Sequence, residues 1–174
     1  SLDLAQMTMP QFIAIGEKVF NGKGTCTLCH NPVVKRAPLL DDVVGRAGQR
    51  LKAQRYKGGA TDSAGYIMES MTKPSAYVVT GYGVTGSNDT VSPMPDVSTG
   101  AIGLSDAEIK AVAAYLQNLG GADVTVEIPK GQPTEEKKDG APAALAKTGE
   151  AAAQKYCCDM CHKIGKGQGA IGPD

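Results

Sequence analysis

Apolar residues recur at helical spacing in three stretches, and each predicts a helix. The first runs from Gln11 to Phe20 and carries Phe12, Ile13, Ile15, Val19 and Phe20 on an imperfect amphipathic face. Met9-Pro10 opens it, with Pro10 near the first helical position. Asn21-Gly22-Lys23-Gly24 ends it. Gly16 sits in its middle, where glycine costs about 1 kcal/mol against alanine, so a close crossing by another helix is expected there. The second stretch, Ala64 to Met71, is stopped by Pro74 and offers Tyr66, Ile67 and Ser70-Met71 as one stripe. The third begins at Ser105-Asp106-Ala107-Glu108, a capping box in which Ser105 caps and Glu108 reaches back. Ile109, Val112, Ala113, Leu116 and Leu119 share its face as far as Gly120-Gly121. This helix is the expected partner of the Gly16 helix, with Tyr115 packing on the bare backbone.

The remaining segments lack that period. Residues 31–50 contain Pro32 and Pro38 and are expected to be irregular. Residues 75–83, rich in β-branched and aromatic residues and then in glycine, read equally as a strand or a loop. Val124 to Ile128 alternates, as a strand laid along the first domain would. Prolines 129, 133 and 142 and the run Glu135-Glu136-Lys137-Lys138-Asp139 predict an exposed linker. The expected organisation is therefore a domain over 1–121, a linker over 122–146 and a second unit over 147–174.

Composition narrows the function classes. A chain of 174 residues holds one or two small domains. Its formal net charge of zero points to no nucleic-acid partner. No apolar run is long enough to span a membrane, and, with no signal peptide recognised at its start, the chain is expected to be a mature or trimmed product. With two Phe, six Tyr and no Trp, the chain has little aromatic material for a core. A buried apolar prosthetic group would supply what is missing.

The chemistry lies in Cys26-Thr27-Leu28-Cys29-His30, repeated as Cys158-Asp159-Met160-Cys161-His162. Cys-x-x-Cys-His reads as covalent attachment of haem c, two thioethers with the histidine as proximal ligand. Both histidines of the chain, and four of its five cysteines, are used in these two places. A thioredoxin-like pair would need no trailing histidine, and zinc would need four ligands close together. A backbone carbonyl near Pro32 is expected to accept the other ring N–H of His30. Ser92-Pro93-Met94-Pro95-Asp96 supplies the candidate sixth ligand, because a thioether is a soft donor suited to haem iron. Met7, Met9, Met68 and Met71 are spare methionines for an iron at the second motif, although core packing better explains Met68 and Met71, three apart on a helix. Cys157 permits an alternative attachment pair with Cys161, although the two-residue spacing favours Cys158.

The pattern also repeats along the chain. Gly149-Glu150 and the residues to Tyr156 echo Gly16-Glu17 and the residues to Phe20, and Gly172-Pro173 stands where Pro38 stood. The repeat covers about a third of a domain. It has no counterpart of Met94 or of the Ser105 helix. The second iron's sixth ligand is therefore unassigned, and a longer dihaem protein or completion by another chain is expected.

Residues 1–121 resemble a class I cytochrome c domain. The matching features are Gly16 and Phe20, the first haem motif, Met94-Pro95, and Leu104-Ser105-Asp106-Ala107-Glu108-Ile109 leading to Ala114-Tyr115-Leu116. Tyr66 to Gly83, with Glu69-Ser70, Pro74 and Tyr77-Val78-Val79, is similar to cytochrome modules of respiratory complexes. The resemblance implies an all-α fold with three main helices around one haem. It implies Cys26 and Cys29 as attachment sites and His30 and Met94 as axial ligands. For the second unit it carries over Cys158, Cys161 and His162. The function implied is electron transfer with two haems c, in the periplasm or on the extracytoplasmic face of a bacterial membrane, toward redox proteins including a membrane-bound respiratory complex. Two alternatives differ in class: a dihaem-peroxidase-type enzyme with an open second iron, and an assembly subunit whose second haem domain another chain completes.

Overall fold

The computed structural model describes residues 4–130. Within them the chain forms four helices, α1 (Met9–Asn21), α2 (Val43–Leu51), α3 (Ser63–Thr72) and α4 (Asp106–Leu119), with 3-10 turns at Cys26–Leu28 and Pro74–Ala76. No strand occurs among the described residues, so the fold is all-α. Nor is any of their helices long and apolar enough to cross a membrane.

The helix starts follow from local hydrogen bonding. Ser105 N–H donates to Glu108 Oε2 at 2.8 Å and Glu108 N–H returns to Ser105 Oγ at 3.3 Å, the reciprocal box expected at α4. Thr8 N–H reaches Gln11 Oε1 at 2.9 Å before α1. Asp62 Oδ1 accepts from Gly65 N–H at 2.7 Å and caps α3.

The largest interface in the domain is α1 against α4. Its closest point is Gly16. A Cβ there would lie 1.9 Å from Ala111 O and 2.9 Å from Tyr115 Cβ, so only glycine lets the two backbones approach this far. Phe20 and Tyr115 then stack tilted, with ring centroids 5.4 Å apart. Phe12, Val19, Phe20, Ile109, Val112 and Leu116 are buried around this crossing. Helices α2 and α3 close the other side and bring in Val43, Ala47, Tyr66, Ile67 and Met71. Met71 is core, as its spacing predicts, and Met68 packs half-buried against it.

Two expectations are corrected. Residues 31–50 are not wholly irregular, because α2 starts at Val43. Gly45 and Gly48 weaken its intrinsic preference, but Val43 and Ala47, four apart, are both buried, and packing on α3 and α4 decides the conformation. The three main helices implied by the resemblance are present as α1, α3 and α4, and the short α2 is added to them. Residues 75–83 continue from a 3-10 turn into a loop, with no strand.

Val124 to Ile128 form no ladder but lie along the domain. Val126 is buried, and Val124 and Ile128 pack against the core. Gln117, 1% exposed, holds this strap from α4: its Nε2 donates to Thr125 Oγ1 at 2.9 Å and its Oε1 accepts from Thr125 N–H at 3.1 Å.

Candidate haem-attachment site

The first motif is built outward from the end of α1. Gly24 N–H bonds back to Val19 O at 2.8 Å, and Thr25 turns the chain in the left-handed region at φ 53°. Cys26–Leu28 then winds as a 3-10 turn. Cys29 and His30 both donate to Cys26 O, at 3.2 and 2.9 Å. This winding gathers Cys26, Cys29 and His30 into a little over one turn of chain. Lys23 Nζ, 2.8 Å from Glu108 Oε2, ties the approach loop to the start of α4.

Asn31 holds the turn from its far side. Its Nδ2 donates to Thr27 O at 2.8 Å, while its Oδ1 accepts from Val33 N–H at 3.0 Å and Val34 N–H at 2.8 Å. His30 Nδ1 lies 2.7 Å from Pro38 O. A carbonyl can only accept, so Nδ1 carries the proton and the lone pair is left on Nε2. Burial pushes the His30 pKa down, only partly opposed by the Pro38 bond, and keeps the ring neutral. A neutral imidazole with an oriented Nε2 lone pair is what a metal requires. The partner is Pro38, not the carbonyl near Pro32 expected from the sequence; Pro32 is exposed in the turn that Asn31 pins. Arg46 in turn steadies the accepting segment, Nη2 donating to Leu39 O at 2.6 Å.

The Cys26 thiol is pushed up to about 11, chiefly by burial, and is protonated at neutral pH. Among the described residues no three His, Cys, Asp or Glu side chains converge on a point that could hold a metal ion.

Met94 is half-buried and packs against the core cluster. Its N–H donates to Ser92 Oγ at 3.1 Å, and Ser92 N–H donates to Ser75 Oγ at 3.0 Å. Beyond it, Val97 N–H is held by Met71 O at 3.0 Å. Met7 and Met9 are half-buried at the start of the described chain. Cys157, Cys158, Met160, Cys161 and His162 lie outside the described residues.

Two further observations fit a haem at this motif. Arg46 Nε is buried without a hydrogen-bond partner, a donor that a carboxylate such as a haem propionate would satisfy, although Nη2 and Nη1 already lie 3.7 and 3.9 Å from the Asp41 and Asp42 carboxylates. Leu28, Val33, Val34 and Leu39 all stand exposed within or just after the motif, between 41% and 87%. That is apolar surface of the kind a porphyrin covers. Sequence reasoning missed Asn31 and Arg46, which hold the motif's surroundings. Asn31, directly after His30 and before a proline, was the visible signal.

The comparison with curated proteins finds no match. The family model described as Cytochrome c matches residues 13–120, more than half of the chain. That span runs from α1, through the Cys26–His30 turn and the Met94 loop, to the end of α4, and it marks the chain as a member of the cytochrome c family with a class I domain for covalently bound haem c.

Proposed function

We propose that the chain is an extracytoplasmic dihaem c-type cytochrome that passes electrons between redox partners, as a subunit of, or carrier to, a respiratory-type complex. One haem is held by Cys26 and Cys29 with His30 and Met94 as axial ligands. The other is held by Cys158 and Cys161 with His162. The observation that carries the reading is the bond from His30 Nδ1 to Pro38 O, because it fixes both tautomer and ring orientation for Nε2 to act as donor.

Haem c, when bound, supplies a one-electron iron couple. His30 contributes a neutral nitrogen made more basic by its carbonyl partner. Met94 contributes a soft thioether, a ligand that raises the potential. At the first motif, His30 and Met94 would together hold and tune the iron rather than act on a substrate. Location outside the cytoplasm is part of the proposal, since covalent attachment to this motif takes place there in bacteria.

The test is a pyridine haemochrome assay combined with intact mass. Two covalent haems are expected in the parent chain. One is expected in the Cys26→Ala/Cys29→Ala variant and one in the Cys158→Ala/Cys161→Ala variant. A single haem in the parent that survives loss of Cys158 and Cys161 overturns the dihaem reading.

A further inference from the structure

The loop over residues 79–91 leads directly into Ser92-Pro93-Met94. It has no helix or strand. Four backbone bonds lie within it: Tyr82 N–H to Val79 O at 3.0 Å, Val84 N–H to Val91 O at 2.9 Å, Ser87 N–H to Val84 O at 2.9 Å, and Thr90 N–H to Ser87 O at 3.1 Å. The Asp89 carboxylate reaches back across the loop to its entry. Its Oδ2 accepts from Gly81 N–H at 3.0 Å and its Oδ1 from Gly83 N–H at 2.9 Å. Bonds to an ionised acceptor are roughly twice as strong as neutral ones. Those two amides hold the Asp89 carboxyl below its ordinary range.

The backbone around Asp89 is shaped for this contact. Asn88 and Asp89 both adopt left-handed φ, 51° and 56°. Asn and Asp are the non-glycine residues that adopt this region most readily, and two in succession make a tight turn that aims the Asp89 carboxylate back along the loop. Gly83 is equally constrained: a Cβ there would lie 2.7 Å from Asp89 Cα and 2.8 Å from its Oδ1. The carboxylate therefore sits in a seat that a side chain at position 83 would fill.

We propose that Asp89 is a positioning residue for Met94: by closing the 79–91 loop onto Gly81 and Gly83 it fixes where Ser92-Pro93-Met94 is presented to the iron. Transmission follows from stiffness. Met94 lies between Pro93 and Pro95, whose fixed φ leaves few bonds to absorb a displacement. The fixed points around it are Ser92 on Ser75 and Val97 on Met71. A loop that opens at Asp89 shifts the first of these and carries the thioether with it. The proposal rests on Met94 being the sixth ligand.

The test uses the full haem-loaded chain. Cyanide affinity of the ferric protein is read through loss of the methionine-to-iron charge-transfer band, which reports only a methionine-ligated haem, and the midpoint potential is measured alongside. Asp89→Ala is expected to raise cyanide affinity on the order of tenfold and to lower the potential. Gly83→Ala, which leaves the charge in place but fills its seat, is expected to act in the same direction. Asp89→Asn, which keeps an oxygen acceptor, is expected to recover part of the change. Thr8→Ala, at the start of α1, is the matched control: it lowers the unfolding midpoint and leaves cyanide affinity unchanged. Asp89→Ala and Gly83→Ala that shift affinity by less than about twofold, or by no more than Thr8→Ala does, overturn the proposal. If Met94→Ala leaves the band intact, the ligand assignment fails and the positioning role with it. If Met94→Ala removes the band while Asp89→Ala changes nothing, only the positioning role fails.

Discussion

The segment that carries His30 and the segment that carries Met94 are held by different means. Around His30, residues 24–31 close on themselves through short backbone bonds, and Asn31 and Pro38 complete the clamp from nearby in sequence. The clamp starts from the end of α1 and is tied to α4 through Lys23 and Glu108. Around Met94, one backbone bond from Val97 N–H to Met71 O anchors the chain beyond it, while the approach to it depends on side-chain acceptors: Ser75, Ser92 and, farther back, Asp89. Local backbone bonds re-form after a fluctuation because the partners never travel far. Side-chain bonds across a loop are lost together once it opens. With His30 and Met94 as the proposed iron ligands, the histidine side should therefore stay ligated under conditions that release the thioether.

The largest effect should come from breaking the rigid side outright. His30→Ala is expected to abolish the methionine–iron band completely in optical spectra, while the covalent haem content of the haemochrome assay stays unchanged, because Cys26 and Cys29 remain. Next comes the scaffold beneath that side. Gly16→Ala places a methyl 1.9 Å from Ala111 O, where backbone cannot yield, and is expected to cost about 2–4 kcal/mol in denaturant unfolding.

Gln117→Ala sharpens the comparison, since Gln117 serves neither ligand segment. It leaves Thr125 N–H without its acceptor and is expected to cost about 1–3 kcal/mol. Faster amide exchange at Thr125 and Val126, with an unchanged midpoint potential, would separate the strap from the haem site.

The smallest effect is at the exposed brace. Lys23→Ala removes a pair whose lysine is half-exposed, and about 0.5 kcal/mol is expected. Burial alone would raise the Glu108 carboxyl, but the bonds from Lys23 and from Ser105 N–H outweigh it and leave it below its ordinary value of 4.5. A depressed folded value means that the contribution is present at neutral pH and is lost as pH falls through that value. Glu108→Gln is therefore expected to flatten the acid limb of the stability curve below the ordinary carboxylate range.

Much of the helical scaffold was legible because its signals are local. The Ser105–Glu108 box, the Pro10 start and the apolar stripe of α4 each need only a few neighbouring residues to act. Gly16 was legible for a different reason: a glycine that weakens a helix implies a neighbour pressed against it, and Ala111 and Tyr115 are that neighbour. Helix α2 was not legible, because two glycines conceal a stripe that only burial against α3 and α4 makes favourable. The candidate site divides in the same way. Cys26, Cys29 and His30 declare themselves by spacing. The Pro38 carbonyl, the Arg46 brace and the Asp89 clasp are backbone or long-reach contacts that leave no mark on a local pattern.

By itself, then, the order of residues determined where the Cys-x-x-Cys-His motifs stand, where three helices begin and end, and where two helices must touch. Those outcomes depend on covalent spacing and on hydrogen bonds within a turn or so, which composition and order specify directly. Tertiary structure alone decided which carbonyl orients His30, that residues 43–51 become helical, and how residues 79–91 close before Met94. Each of these depends on desolvation and on contacts between segments whose separation in space no local pattern encodes.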